Sequence, residues 1–202
     1  MRALFASKFL FTAFAPAAIA ALVVLAAIVQ PCPAHAQTPP GGDMPVEYQG
    51  FAFGTPVSDL LAAGMVLSRQ EFVRNEMYGD YTVDFYSRAG AAPTFAGVAL
   101  VSEEFGVVDG QLQHVLLKAK GKEAYEAFVA QAAAVYGMEE ETPFSTPEYE
   151  DCVKVHRIIR RDQVETHSWA WGVSQSDYIF AAVRVSYDEP QHWAYYFVGW
   201  PD

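Results

Sequence analysis

Apolar and polar residues change rhythm several times along this chain of 202 residues, and each rhythm predicts a different element. From Phe9 to Val29 the chain is apolar, interrupted only by Thr12 and Pro16. Thr55 to Gly64 reads as a short helix: Thr55 can cap it, Pro56 suits the first helical position, Leu60 and Leu61 give an apolar edge, and Gly64 stops it. Tyr81, Val83 and Phe85 alternate with Thr82, Asp84 and Tyr86, the period-2 pattern of a half-buried strand. Val98 to Val108 and Leu112 to Lys118 flank Asp109-Gly110, a dipeptide suited to a tight hairpin turn. From about Lys122 to Tyr136 the period lengthens. Tyr125, Phe128, Val129, Ala132, Ala133 and Tyr136 then form one apolar helical face, with Gly121 near its start and Gly137 just past its end. Met138 to Glu150 has little periodicity, carries Glu139-Glu140-Glu141, Pro143 and Pro147, and reads as a loop. Four strand-like runs complete the chain: Cys152 to Arg161, Thr166 to Gly172, Tyr178 to Ser186 and His192 to Val198. Their short connections predict antiparallel hairpins. The expected order is helix, three strands, helix, four strands: an α+β domain whose antiparallel sheet carries two helices packed on one face.

The first apolar run is too uniform for a soluble domain. Arg2 and Lys8 precede it and Pro33-Ala34-His35-Ala36 follows, so Met1–Ala36 reads as a signal peptide cut after Ala36 to leave Gln37. About 20 apolar residues also suffice to cross a bilayer, so a retained anchor is the competing reading, and membrane contact is expected only in that case. Val29-Gln30-Pro31 is a poor approach to a lipid-modified Cys32. Residues 37–46, with Pro39, Pro40, Gly41 and Gly42, form a flexible tether, and residues 47–202 a single domain. The expected location is the periplasm or the exterior.

Cleavage sharpens the charge balance. The chain holds 13 Lys and Arg against 24 Asp and Glu, and two of the basic residues leave with the signal. So acidic a chain repels phosphate backbones, and nucleic acid is not an expected partner. Cys32 leaves too, so Cys152 has no intramolecular disulfide partner and a conventional hydrophobic core must hold the fold.

Candidate chemistry is sparse. Cys152 and His156 share a strand face, but four strand residues span roughly 13 Å, too far for one tetrahedral metal. The sequence contains no Cys-x-x-Cys or His-Glu-x-x-His pattern, and no metal, cofactor or catalytic set is assigned. His167, Trp169 and Trp171 line one strand face, and Trp193, Tyr195 and Phe197 do the same on the last strand. Buried, these rows cover a sheet beneath a helix; exposed, they would grip a protein or glycan partner. Lys154, Arg157, Arg160 and Arg161 either receive a carboxylate or dress a strand edge against aggregation. Glu139-Glu140-Glu141 lacks the spaced ligands and turn glycine of a calcium loop.

Phe51-Ala52-Phe53-Gly54-Thr55-Pro56 with Leu60-Leu61, the turn Asp109-Gly110 and the helix end Tyr136-Gly137 resemble a loose group of small secreted bacterial proteins of unknown function. The resemblance spans Gly50 to Val198. At the level of fold it extends to β-lactamase-inhibitor-protein-like domains and to a small outer-membrane assembly lipoprotein, and it assigns no functional residue. The expected function is a non-enzymatic, exported binding or inhibitor-like module with a protein or glycan partner in the envelope. The alternatives are a cell-envelope hydrolase and a structural envelope component.

Overall fold

The computed structural model describes residues 44–74, 79–90, 93–144, 151–174 and 179–200. The signal Met1–Ala36, tether residues 37–43, the end of the expected loop at 145–150 and the start of the third C-terminal run at Tyr178 lie outside them. The described residues belong to one unit, Thr38–Asp202.

Along the chain come β1 (Glu47–Tyr48), β2 (Phe51–Ala52), α1 (Val57–Ala62), β3 (Met65–Val73), β4 (Tyr81–Arg88), β5 (Thr94–Phe95), β6 (Val98–Ala99), β7 (Ser102–Val108) and β8 (Gln111–Lys120). They are followed by α2 (Lys122–Tyr136), β9 (Glu141–Phe144), β10 (Cys152–Arg161), β11 (Val164–Val173), β12 (Ile179–Asp188) and β13 (Trp193–Gly199). Nine of these strands form one antiparallel sheet in the order β3-β4-β7-β8-β13-β12-β11-β10-β9. It consists of two meanders, β3-β4-β7-β8 and β9 to β13, joined where the last strand pairs back with β8. The chain therefore travels from β8 in the middle of the sheet to β9 at its edge, and α2 makes that journey over β8, β13 and β12.

The expected α+β layout, a sheet with two helices packed on one face, is corrected by this architecture. Strands hold 60% of the described residues and helices 15%, so the fold is β-rich. The first helix has only six residues, starts after Pro56 and has no side-chain cap; Thr55 does not serve as one. The expected strand from Val98 to Val108 is broken into β6 and β7, and two further strands, β3 and β9, add to the sheet. β9 occupies part of the expected loop and tolerates Pro143 because it pairs only with β10, at the sheet edge.

Asp109 and Gly110 both adopt positive φ, 50° and 76°, as the tight turn between β7 and β8 requires. α2 buries Ala124, Tyr125, Phe128 and Ala132 against the sheet. Beneath it lie Val115, Leu117 and Ala119 of β8, Ala194, Tyr196 and Val198 of β13, and Val183 and Val185 of β12. Leu60 of α1, Tyr48 and Phe51 of the β1-β2 ribbon, and Phe95 and Val98 of the β5-β6 ribbon join this same cluster. Of the described elements only α2 thus lies across the sheet, while the short α1, beside β3, and the two ribbons add individual side chains to the core beneath α2, on one side of the sheet. Among the described residues, the other side of its central strands is left without a covering helix.

Candidate functional site

Strand alternation decides which residues face which way. On the covered side β10 and β11 bring Lys154 opposite Trp171, His156 opposite Trp169 and Ile158 opposite His167. Trp169 and Trp171 are fully buried and His167 nearly so. Tyr136 meets Trp171 edge-on at 5.2 Å. The indole Nε1 of Trp169 donates to the carbonyl of Gly137 at 2.7 Å. Beside it Lys154, also fully buried, donates from Nζ to the carbonyl of Tyr136 at 2.5 Å and lies 3.6 Å from the Glu139 carboxylate. These two donors satisfy carbonyls at the C-terminal end of α2 that the helix itself leaves open, and a cation there suits the helix dipole. The row His167, Trp169, Trp171 therefore forms the seat of α2 rather than a surface for a partner. Cys152 is buried on β10, in line with Lys154 and His156 and opposite Val173.

Next to this seat the imidazoles of His156 and His167 approach to 3.3 Å and stack on Trp169. Burial pulls both below the ordinary histidine value of 6.5; the Lys154 ammonium adds to the effect on His156, and His156 itself to that on His167. A hydrogen bond to the Met138 backbone and, after it, the Glu139 carboxylate oppose the shift at His156, and Glu165 opposes it at His167, without cancelling it. Below pH about 6.5 the unfolded chain binds protons that the folded pair resists, so stability falls as acid is added. The urea midpoint should therefore drop between pH 7 and 5, and a His156→Gln/His167→Gln protein should lose most of that slope. An identical slope in both proteins would show that the pair does not titrate as described.

A cavity of about 410 Å³ opens where α2 begins, between the β10-β11 turn and the end of β12. Its lining includes Lys122, Tyr125, Arg160, Glu165, Glu189 and His192. Glu165 accepts from the Tyr125 hydroxyl at 2.7 Å and from Arg160 Nε at 2.5 Å. These donors, the tyrosine first, hold its carboxyl below the usual carboxylate range. Burial and that same carboxylate push the Tyr125 hydroxyl well above its ordinary value. His192 is spent on the Tyr187 hydroxyl at 3.1 Å. Among the described residues the lining holds no serine, threonine or cysteine, and no group of three or more His, Cys, Asp and Glu is placed to hold a metal ion. Glu165 and Arg160 chiefly tie the β10-β11 hairpin to α2.

The second aromatic row has a different fate. Ala194, Tyr196 and Val198 turn toward α2, so Trp193, Tyr195 and Phe197 turn to the uncovered side, where they are half-buried. Pairing with β8 sets Trp193 opposite Lys120, Tyr195 opposite Lys118 and Phe197 opposite Leu116. The Lys118 ammonium lies 4.0 Å from the centre of the Trp193 ring and 5.4 Å from that of Tyr195, with Lys120 5.6 Å from Trp193. On the other flank the Arg184 guanidinium sits 5.6 Å from Phe197. The His114 ring lies tilted at 5.2 Å from Phe197 and edge-on at 5.7 Å from Phe85, over Gly106, where an added Cβ would run into the imidazole. Beyond Phe85 the Arg69 guanidinium lies 3.5 Å from its ring centre. Arg69 is itself paired with Glu71 and Glu104, and Phe85 and His114 are buried. Among the described residues, the part of this row that offers free cations beside half-buried rings is therefore the strip of Trp193, Tyr195 and Phe197 with Lys118, Lys120 and Arg184.

Of the five residues expected to meet a partner, Trp193 and Tyr195 share this uncovered patch, while His167, Trp169 and Trp171 lie on the other side of the sheet. The sequence reading missed Lys118, Lys120 and Arg184. Their signal is the i, i+2 spacing of Lys118 and Lys120 in the hairpin, which becomes meaningful only once β8 is known to neighbour β13. No family model matches the chain, and neither a curated protein nor a solved structure matches it. The resemblance to small secreted proteins accordingly rests on its own residues.

Proposed function

We propose that this protein is an exported binding module, acting in the periplasm or outside the cell, that holds its partner on the uncovered face of the sheet. The observation that carries the proposal is the half-buried strip Trp193, Tyr195 and Phe197 with Lys118, Lys120 and Arg184 set against its rings. Aromatic side chains supply large contact area at small entropic cost, and a cation held on a ring is partly stripped of water before any partner arrives. The charge pattern, apolar run and small residues of Met1–Ala36 support the export part of this reading.

A hydrolase is the second reading, favoured by the presence of Glu165, Glu189 and His192 in one cavity. It would have to use Glu165 as a base, since the two hydrogen bonds keep that carboxyl ionised. Capture from envelope extracts separates the two. The Trp193→Ser/Tyr195→Ser protein should recover at least tenfold less partner than the native one while its melting temperature stays within a few degrees. Equal recovery by both proteins would refute binding at this face.

A further inference from the structure

We infer that the uncovered face takes an acidic polysaccharide, a chain of carboxylate-bearing sugars, laid along β13 between β8 and β12. The inference rests on the binding proposal above and names its ligand class. Charge is the first argument. The chain has a net charge of −11, yet among the described residues the uncovered side of β7, β8, β10, β11, β12 and β13 carries Lys118, Lys120, Arg157, Arg161 and Arg184 against Asp188, which lies opposite Trp193, and Glu104, which is already paired with Arg69. An anionic polymer is repelled by the acidic surface elsewhere and drawn to this patch.

Relief is the second argument. A protein partner is normally gripped by side chains that stand out and fill a pocket. On β8 and β13 none of the large apolar side chains is among the most exposed; Phe72, Leu67 and Val46, which are, lie elsewhere. Trp193, Tyr195 and Phe197 instead form a low strip with one ring at every second residue, about 6.8 Å apart along an antiparallel strand. The C–H faces of sugar rings pack on such a strip without needing a pocket. Lys118 and Lys120 repeat at the same interval on one side, placed to meet carboxylates, with Arg184 on the other.

Hydroxyl chemistry is the third. Beyond Arg184, Thr166 and Ser186 share a hydrogen bond of 2.8 Å on the same face, and Ser168 lies opposite Arg184. Small hydroxyls can exchange hydrogen bonds with sugar hydroxyls and leave a chain room to lie flat. The cations already resting on rings need not leave them: a carboxylate replaces water on the outer side of each ammonium.

The test uses the mature protein and three probes: alginate as a polyuronate, poly-L-glutamate of similar length as a carboxylate polymer without sugars, and dextran as a neutral glycan. Binding to alginate is expected to weaken as salt rises, to exceed binding to poly-L-glutamate at least tenfold, and to be absent for dextran. Lys118→Gln/Lys120→Gln and Trp193→Ser/Tyr195→Ser should each lower alginate affinity tenfold or more with unchanged circular dichroism. No alginate binding, equal binding of poly-L-glutamate, or indifference to both pairs of substitutions would overturn the inference. If alginate fails while capture from envelope extracts still depends on Trp193 and Tyr195, the ligand class falls and the binding face stands. If both fail, both fall.

Discussion

Trp169→Ala should cost about 3–5 kcal/mol of folding stability, the range for truncating a large buried aromatic. Trp169 is fully buried, stacks with His156 at 4.6 Å, and is the donor that holds the Gly137 carbonyl just beyond α2. Alanine leaves both a cavity and an unpaired carbonyl, and the second adds to the first. Trp169→Phe keeps most of the volume and loses the donor, so it should fall between alanine and the native protein. Urea denaturation measures all three. A Trp169→Ala protein of native stability that loses only its partner would contradict the assignment of this side chain to the seat of α2.

Lys154 should show the next largest effect. Its stem packs in the core and its ammonium satisfies the Tyr136 carbonyl, so Lys154→Ala removes volume and bond together, a loss of about 2–5 kcal/mol. Lys154→Met fills the space and spares the chain the burial of a charge, leaving one unpaired carbonyl, a cost of about 1–3 kcal/mol. The order native, methionine, alanine should appear in urea midpoints. Alanine and methionine proteins of equal stability would mean that the hydrogen bond alone, and not the packing of the stem, is what Lys154 contributes.

Much of this architecture was legible in the sequence because local and global preferences agree there. Asp109-Gly110 can turn only tightly, and α2 keeps its 3.6-residue period through Tyr125, Phe128 and Ala132. The four C-terminal runs became β10 to β13 with ends shifted by a few residues. The strands that stayed hidden are the two edges of the large sheet. β3 exposes Val66, Leu67 and Phe72, and its bulge between Leu67 and Arg69 breaks the alternation. β9 hides behind glutamates and Pro143, residue types that edges favour and central strands exclude. With these strands unseen, the fold looked richer in helix than it is.

The two aromatic rows differ in what the sequence could reveal. Opposite His167, Trp169 and Trp171 the strand carries Thr166, Ser168 and Ala170, small residues that suit the open side, so the burial of the indoles was implicit. On β13 both alternations are apolar: Trp193, Tyr195 and Phe197 against Ala194, Tyr196 and Val198. No local pattern chooses between them. The choice comes from pairing with β8, a partner more than 70 residues away in sequence, which sets Ala194 beside Ala119 and Tyr196 beside Leu117 under α2. The lysines then fall beside the outward row, so the candidate site is a product of long-range register.

Lysine footprinting tests the binding face most directly, because Lys118 and Lys120 lie on it, Lys122 lines the cavity at the start of α2, and Lys154 is buried. The mature protein is treated with an amine-acetylating reagent, alone and after saturation with its captured envelope partner, and modification at each lysine is read by mass spectrometry. The account predicts that the partner protects Lys118 and Lys120 at least several-fold and leaves Lys122 as reactive as before. Protection of Lys122 with Lys118 and Lys120 unchanged would place the partner in the cavity and contradict the assignment of the uncovered face.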